Sequence, residues 1–208
     1  MDLKKVKERV VGSGCFDRAE NERIYRKFFA TVPRSFLYLV DKYNLGEKRV
    51  VDVGCGYGGL YTHALQKGLT INYTGIDVAG NMIKWATANV PGARFITGDV
   101  LANEFDDKFD YVVCNGILTQ KLQAPGLEMD RFAAKLIRRL FELCRRGIAF
   151  NVMTTKVNHF ANNLYYRNPA ELFSWCLSEI TPHIRLDHAY PLYEYTMYLY
   201  REPHAESS

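Results

Sequence analysis

A strand pattern runs directly into a cluster of glycines between Val50 and Leu60. The residues Val-Val-Asp-Val are followed by Gly-Cys-Gly-Tyr-Gly-Gly. β-Branched residues around an acid favour a buried strand, and glycines give a turn whose backbone a ligand can approach closely. The stretch therefore predicts a strand and turn that bind a nucleotide-like cofactor.

The glycines alone fit two cofactors. Gly54, Gly56 and Gly59 satisfy the dinucleotide pattern G-x-G-x-x-G, whereas Gly54, Gly56 and Gly58 satisfy the G-x-G-x-G pattern associated with S-adenosylmethionine (SAM). Asp52 places a carboxylate two residues before the first glycine, where it would repel a pyrophosphate. SAM carries no phosphate but does carry an ammonium and a sulfonium. Asp52 therefore favours SAM.

Three further strand patterns follow, and each ends in polar residues. A short apolar run ends at Asp77, 21 residues after Gly56, where a carboxylate can accept both ribose hydroxyls. The next run ends in Gly-Asp at Asp99, which can accept from an adenine amino group. The fourth, beginning at residue 109, ends in Asn115 and Gly116. Together these positions supply the contacts that a SAM-like cofactor needs.

These motifs carry a resemblance. V-V-D-V-G-C-G-Y-G-G, G-I-D-V, T-G-D-V and F-D-Y-V-V-C-N-G, in this order, resemble the successive motifs of class I SAM-dependent methyltransferases. The match covers about residues 45 to 155, and a tyrosine-rich hairpin near 192–201 resembles the last two strands of that fold. The segments A-F-N-V-M-T-T and Y-P-L-Y-E-Y-T are loosely similar to small bacterial methyltransferases of polysaccharide and secondary-metabolite pathways.

The resemblance implies a fold, a cofactor and a set of contacts. The fold is an α/β, Rossmann-like, doubly wound sheet of seven mostly parallel strands, with the last strand antiparallel and helices on both faces. Residues 1–45 would form an N-terminal helical cap, and residues 46–208 a single methyltransferase domain. The cofactor is SAM, and its predicted contacts are Asp52, Gly54, Gly56, Gly58, Asp77, Val78, Met82, Asp99, Val100, Asn115 and Gly116.

The methyl acceptor is expected beyond the carboxyl ends of the parallel strands, because ligands of open α/β sheets bind there. Methyl transfer from a sulfonium needs an aligned acceptor and, for a hydroxyl, a base. His159 is the predicted base, since a histidine can accept a proton near neutrality. The predicted acceptor-binding residues are Tyr25 in the cap, Thr119, Tyr165, Tyr166, His188, Tyr190 and Glu194.

Composition limits the remaining classes. The net charge of +4 comes from scattered basic residues rather than a concentrated stripe, which does not favour a nucleic acid partner, although an anionic small substrate would fit. The five cysteines include no C-x-x-C pair and are expected as core thiols, with no metal site. No apolar run reaches the roughly 20 residues of a membrane span, and no signal peptide is recognisable, so a cytoplasmic protein is expected.

We interpret the chain as a SAM-dependent methyltransferase that modifies the oxygen or nitrogen of a small molecule, with a sugar or related metabolite as the expected acceptor. A tRNA or protein methyltransferase is the main alternative. A SAM-binding protein without catalysis and a Rossmann oxidoreductase are the others, and Asp52 argues against the last. The protein is expected to be a monomer or a homodimer.

Overall fold

The computed structural model describes residues 48–203 except positions 67, 106, 107, 122 and 191. The predicted helical cap and Tyr25 lie outside the described residues. Within them the chain forms eight strands: β1 Arg49–Val53, β2 Asn72–Asp77, β3 Arg94–Thr97, β4 Phe109–Cys114, β5 Cys144–Thr154, β6 Tyr166–Arg167, β7 Ile184–Asp187 and β8 Glu194–Tyr200. The described helices are α1 Gly59–Gln66, α2 Gly80–Asn89, α3 Gly126–Leu143 and α4 Pro169–Glu179.

The strands form one sheet in the order β3-β2-β1-β4-β5-β8-β7, with the two-residue β6 paired to β5 beside this path. Strands β1 to β5 are parallel to one another, whereas β8 is antiparallel to both β5 and β7. The order reverses between β1 and β4, which is where ligands bind in open α/β sheets. The predicted Rossmann-like fold with its terminal antiparallel pair is confirmed.

The direction of each strand decides which residues meet at the site. We call the end of the sheet at which β1 to β5 finish the carboxyl edge. Because β5 and β7 both run antiparallel to β8, β7 also finishes at the carboxyl edge, and β8 begins there. Asp187 and Glu194 therefore lie on the same edge as the glycine turn.

Apolar residues cover both faces of the sheet. Val51 and Val53 of β1 belong to the cluster that also contains the apolar faces of α3 and α4. Val50 points to the opposite face and belongs to a second cluster, with Leu60 and Tyr61 of α1. This alternation follows from the period of two in a strand. It explains why a near-continuous apolar run such as 50–53 marks a strand covered on both sides.

Two predicted strands end earlier than the sequence pattern indicated. The third was expected to reach Val100, but β3 ends at Thr97. The backbone turns there because the Leu101 amide donates to the Asp99 side chain, in the local bond typical of turns. The fourth was expected to continue past Asn115, but β4 ends at Cys114, and Gly116 follows with a φ of 86°.

The described cysteines confirm the expectation of core thiols. Cys55, Cys114, Cys144 and Cys176 are all buried and free. Burial raises the pKa of each thiol, which keeps it protonated and unreactive. Among the helices of the described residues, none combines the length and apolarity needed to cross a bilayer.

Candidate active site at the carboxyl edge

The glycine turn after β1 requires glycine at several positions. Gly54, Gly56 and Gly58 have φ angles of 81°, 53° and 73°, which L side chains rarely adopt. A Cβ atom on Gly54 would lie 2.7 Å from Ile117 Cδ1, and one on Gly58 would lie 2.7 Å from Phe95 Cζ. The turn therefore has no room for side chains and presents its backbone, as a cradle for a cofactor must.

Asp77 at the end of β2 holds this turn. Its Oδ2 accepts from the Gly56 amide at 2.9 Å, and its Oδ1 accepts from the Ala79 amide at 2.8 Å. Burial raises the pKa of Asp77, and the amide bonds from Ala79 and Gly56 oppose that rise. The Val78 amide also bonds this carboxylate, so of its roughly four lone-pair sites about one remains for a ligand. The predicted ribose contact is compatible with this geometry.

Asp52 lies beneath the glycine turn and is not open to solvent. It is 3% exposed, and its Oδ2 accepts from the Tyr73 hydroxyl at 2.7 Å. Burial raises the pKa of Asp52 to about 7, against the Tyr73 hydrogen bond, and the charge of Asp77 adds to the rise. The pair ties β1 to β2 directly below the predicted cofactor. A contact between Asp52 and a SAM ammonium stays a prediction.

The predicted adenine neighbours differ in their exposure. Val78, directly after Asp77, is 38% exposed and presents an apolar surface at the carboxyl edge. Met82 and Val100 are each buried, at 5% and 4% exposure, and support the surrounding elements from within. Asp99 turns the chain after β3, with its Oδ1 accepting from the Leu101 amide at 3.0 Å. Of these residues, Val78 has the geometry best suited to an adenine face.

The chain turns sharply after β4, opposite the glycine turn. Asn115 is half-buried there. The Thr119 hydroxyl donates to the Gly116 carbonyl oxygen at 2.7 Å, which stabilises the turn. A Cβ atom on Gly116 would meet nothing within 4 Å, so the space beside this residue is open. Thr119, a predicted acceptor contact, thus has a structural hydrogen bond at the cofactor turn.

Asn151 is a site residue that the sequence analysis did not select. It lies in β5, is 4% exposed, and its Oδ1 accepts from the Gly116 amide at 2.8 Å. Its Nδ2 donates to Glu194 Oε2 at 2.5 Å. Burial raises the pKa of Glu194, and the Asn151 bond opposes the rise. A single polar residue inside the apolar run Gly-Ile-Ala-Phe-Asn-Val-Met was the signal available in the sequence.

The loop after β5 carries the predicted base on its outside. His159 is exposed, and its neighbour Phe160 is 61% exposed. The ring of Tyr166 packs edge-on against Phe160 at 4.9 Å between centroids, and its hydroxyl accepts from the Ala161 amide at 3.0 Å. The Asn158 side chain donates to the Tyr193 hydroxyl at 3.0 Å. These contacts hold the loop against the start of β8, on the carboxyl edge.

Tyr165 points away from this surface. Its side chain is 4% exposed in the core, and its hydroxyl donates to Asp130 Oδ1 at 2.7 Å. Arg167 donates to the same oxygen at 2.8 Å. Consecutive residues of an extended chain alternate sides, so Tyr165 and Tyr166 cannot both face the acceptor. The geometry gives Tyr165 a packing role in place of the predicted acceptor contact.

The turn between β7 and β8 contains the remaining predicted contacts. His188 is exposed, and its ring lies 5.8 Å from that of the buried Tyr195. Tyr190 is half-buried and shares a 2.9 Å hydrogen bond with the Thr196 hydroxyl. Burial raises the pKa of Tyr190, so its hydroxyl stays neutral. Both residues lie at the carboxyl edge, where the strand directions place them.

The fold and the glycine turn define a nucleotide-type cofactor site at the switch point of an α/β sheet, and the comparisons with known proteins specify it. A family model described as a methyltransferase domain matches residues 50–143. Rv1506c of Mycobacterium tuberculosis, named as a methyltransferase, is 32% identical over 148 residues, which cover 70% of this chain and 89% of that protein. The chain therefore belongs to the class I SAM-dependent methyltransferases.

Other relatives share parts of the chain or the fold alone. The ubiquinone biosynthesis O-methyltransferase of Pseudomonas fluorescens is 36% identical over 84 residues, or 37% of this chain and 35% of that protein. Magnesium protoporphyrin IX methyltransferase from Synechocystis, solved with SAH bound, has a TM-score of 0.63 at 19% identity, covering 97% of this chain and 95% of that one. The latter likeness shows a common fold.

Proposed function

We propose that this methyltransferase transfers the methyl group of SAM to a hydroxyl or amine of a small polar molecule, with a sugar or related metabolite as the favoured class. The observation that carries the proposal is the composition of the carboxyl edge beyond the cofactor turn. Hydrogen-bonding groups gather there among the described residues: the Glu194 carboxylate, the Asn158 amide and the hydroxyls of Tyr166 and Tyr193. Such groups suit an acceptor with several hydroxyls.

The placement of the arginines supports a small acceptor over tRNA. Arg49 begins β1, Arg145 and Arg146 lie at the start of β5, and Arg201 follows β8. All four therefore lie at the edge opposite the site. A nucleic acid acceptor would need a cluster of cations around the pocket itself. At that edge the described residues place Lys121, Lys156 and Arg167, and Arg167 forms an ion pair with Asp130.

The residues of the turn fit the cofactor. Added Cβ atoms on Gly54 and Gly58 would lie 2.7 Å from the Ile117 and Phe95 side chains, so the turn presents bare backbone, and the Asp77 carboxylate lies at its rim. SAM supplies an activated methyl group and a neutral thioether leaving group. The protein must then hold the acceptor in line with that methyl and remove a proton if the acceptor is a hydroxyl. His159 and Glu194 are the two side chains at this edge that we consider for the proton.

The proposal is tested by supplying methyl-labelled SAM and three fractions of a cell extract. These are a small-molecule ultrafiltrate, the macromolecular retentate and an organic-solvent extract. The last is included because relatives named for ubiquinone and phthiotriol dimycocerosates each align over 35% of their own length. We expect label in the ultrafiltrate. Label confined to the retentate would shift the acceptor to RNA or protein, and label in the organic extract would shift it to a lipid.

The control is Gly54→Ala, in which the added methyl would meet Ile117 within the cradle. Label that persists with this variant does not come from the proposed site.

A further inference from the structure

A continuous hydrogen-bonded link joins the turn after β4, which contains the predicted cofactor contact Gly116, to the start of β8. The Gly116 amide donates to Asn151 Oδ1 at 2.8 Å, and Asn151 Nδ2 donates to Glu194 Oε2 at 2.5 Å. The link crosses from the end of β4, through β5, to the first residue of β8. It therefore spans the three neighbouring strands β4, β5 and β8 at the carboxyl edge.

The orientation of Asn151 is fixed by this link. Its carbonyl oxygen must face the Gly116 amide, because an amide N–H only donates, so its NH₂ group must face Glu194. Phe150 and Val152, on either side of it in β5, are each 1% exposed and leave no freedom for the strand. Because both the oxygen and the NH₂ group of Asn151 are hydrogen-bonded, another rotamer of Asn151 would leave buried polar groups unpaired. Asn151 therefore holds the Glu194 carboxylate in one position.

Glu194 has an unusual position for a carboxylate. It is half-buried, and among the described residues Asn151 is its hydrogen-bond donor while no Lys, Arg or His forms an ion pair with it. Burial raises the pKa of Glu194. A half-buried carboxylate without an ion-pair partner is a stronger proton acceptor than an exposed one.

We propose that Glu194 binds the hydroxyl of the methyl acceptor and takes its proton, and that Asn151 is the positioning residue that holds this carboxylate in place relative to Gly116 in the turn after β4. This inference rests on the proposed function. The acceptor oxygen forms a bond to the methyl carbon as the carbon–sulfur bond breaks. The electron pair of that bond returns to sulfur and neutralises the sulfonium. The O–H bond breaks with its proton passing to Glu194, which later releases it to solvent.

Glu194→Gln tests the catalytic part. Gln keeps the shape and still accepts from Asn151, but it cannot take a proton. We expect the rate of label transfer from SAM to the ultrafiltrate to fall by about 10²-fold or more, through kcat rather than KM. The affinity for SAM, measured by calorimetry, should stay within about twofold. Glu194→Asp, which retains a carboxylate, should recover part of the rate.

Glu179→Gln is the matched control, because it makes the same change at an exposed glutamate at the end of α4. It should leave the rate of transfer and the SAM affinity unchanged.

Asn151→Leu tests the positioning part. It removes both hydrogen bonds while keeping the branching of the side chain, so we expect a fall in kcat of about 10-fold or more, on the scale of a lost hydrogen bond to a charged group. SAM affinity should also weaken, since the Gly116 amide loses its partner. In the double variant with Glu194→Gln the two effects on kcat should be less than additive. Full additivity would show that Asn151 does not act through Glu194.

The outcomes separate this inference from the proposed function. If the wild-type protein labels none of the three fractions, both fail. If it labels one and Glu194→Gln labels it at the same rate, the inference alone is wrong. The variants are compared in whichever fraction takes label. A loss of activity in His159→Gln with full activity in Glu194→Gln would assign the proton to the loop histidine.

Discussion

The two halves of the sheet build their parts of the site by different means. On the side of β1 to β3, the binding surface is main chain: positive-φ glycines form the turn, and Asp77 itself holds backbone amides. On the side of β4 to β8, it is made of side chains that link neighbouring strands, with Asn151 and Glu194 at the centre. The first half suits a constant cofactor, and the second contains the residues that we propose contact the methyl acceptor.

This difference predicts that the cofactor half tolerates almost no added volume. Gly54→Ala combines a φ of 81° with a Cβ atom 2.7 Å from Ile117 Cδ1. We expect SAM affinity to fall by about 100-fold or more, because αL strain of roughly 1–2 kcal/mol is added to the clash. Calorimetric titration with SAM measures the effect.

Gly68→Ala is the matched control for strain. Gly68 has a φ of 73°, but its Cβ would meet nothing within 4 Å. It should lower stability without changing SAM affinity. Equal losses of SAM affinity in Gly54→Ala and Gly68→Ala would contradict the assignment of the Gly54 turn to cofactor binding.

The second prediction concerns the buried acid beneath the turn. The pKa of Asp52 rises from 3.8 to about 7 on folding, so between these values the folded chain retains a proton that the unfolded chain has released. Stability should therefore fall as pH rises from about 4 through 7, by at most about 4 kcal/mol. Asp52→Asn should not show this fall. Urea unfolding of both proteins across this range measures it, and parallel curves would contradict the burial argument.

The third prediction concerns the rim of the cofactor half. Asp77→Ala should weaken SAM binding by about 1.5–3 kcal/mol, the scale of lost hydrogen bonds to a charged group, without unfolding the protein. Because Asp77 also binds the Gly56 amide, the ribose contact needs a separate test. A 2′-deoxy analogue of SAH should bind the wild-type protein more weakly than SAH does, and the variant equally well. Unchanged SAM affinity in Asp77→Ala would remove the ribose assignment.

The smallest effect is expected in the acceptor half, at a residue that packs rather than binds. Tyr165→Phe removes the hydroxyl that donates to Asp130. Stability should fall by about 1 kcal/mol, measured by urea unfolding, with kcat/KM unchanged. A loss of kcat/KM at unchanged stability would instead return Tyr165 to the acceptor site.

From the sequence, the glycine turn and the strand-end acid of the cofactor half were selected but Asn151 in the acceptor half was not, for a physical reason. A glycine cluster after a strand pattern and an acid at a strand end can both be recognised from a few neighbouring residues. The turn at Gly54 and the carboxylate at Asp77 were therefore both selected. Asn151 acts through partners 35 and 43 residues away, Gly116 and Glu194. Whether these residues meet depends on the register of β4, β5 and β8, and no local sequence pattern specifies that register.

Which way certain side chains point also could not be predicted from the sequence. Tyr165 and Tyr166 are neighbours in a segment with little periodicity, so the sequence could not decide which one faces the core. The structure decides it through the short strand β6, which begins at Tyr166 and pairs with β5. A two-residue strand has too few positions to show an alternation.

The position of β8 between β5 and β7 also affects the order in which the strands can pair during synthesis. Strands β1 to β4 pair with one another and can assemble while the chain is still emerging from the ribosome. The edge of β5 that does not pair with β4 stays unpaired until β8 has been synthesised. The residues of β8 from Tyr195 to Tyr200 are all buried. A nascent chain halted before Glu194 would expose the edge of β5 to other strands, which is a known route to aggregation. The acceptor half is therefore the part of the sheet whose strand pairing is completed last along the chain.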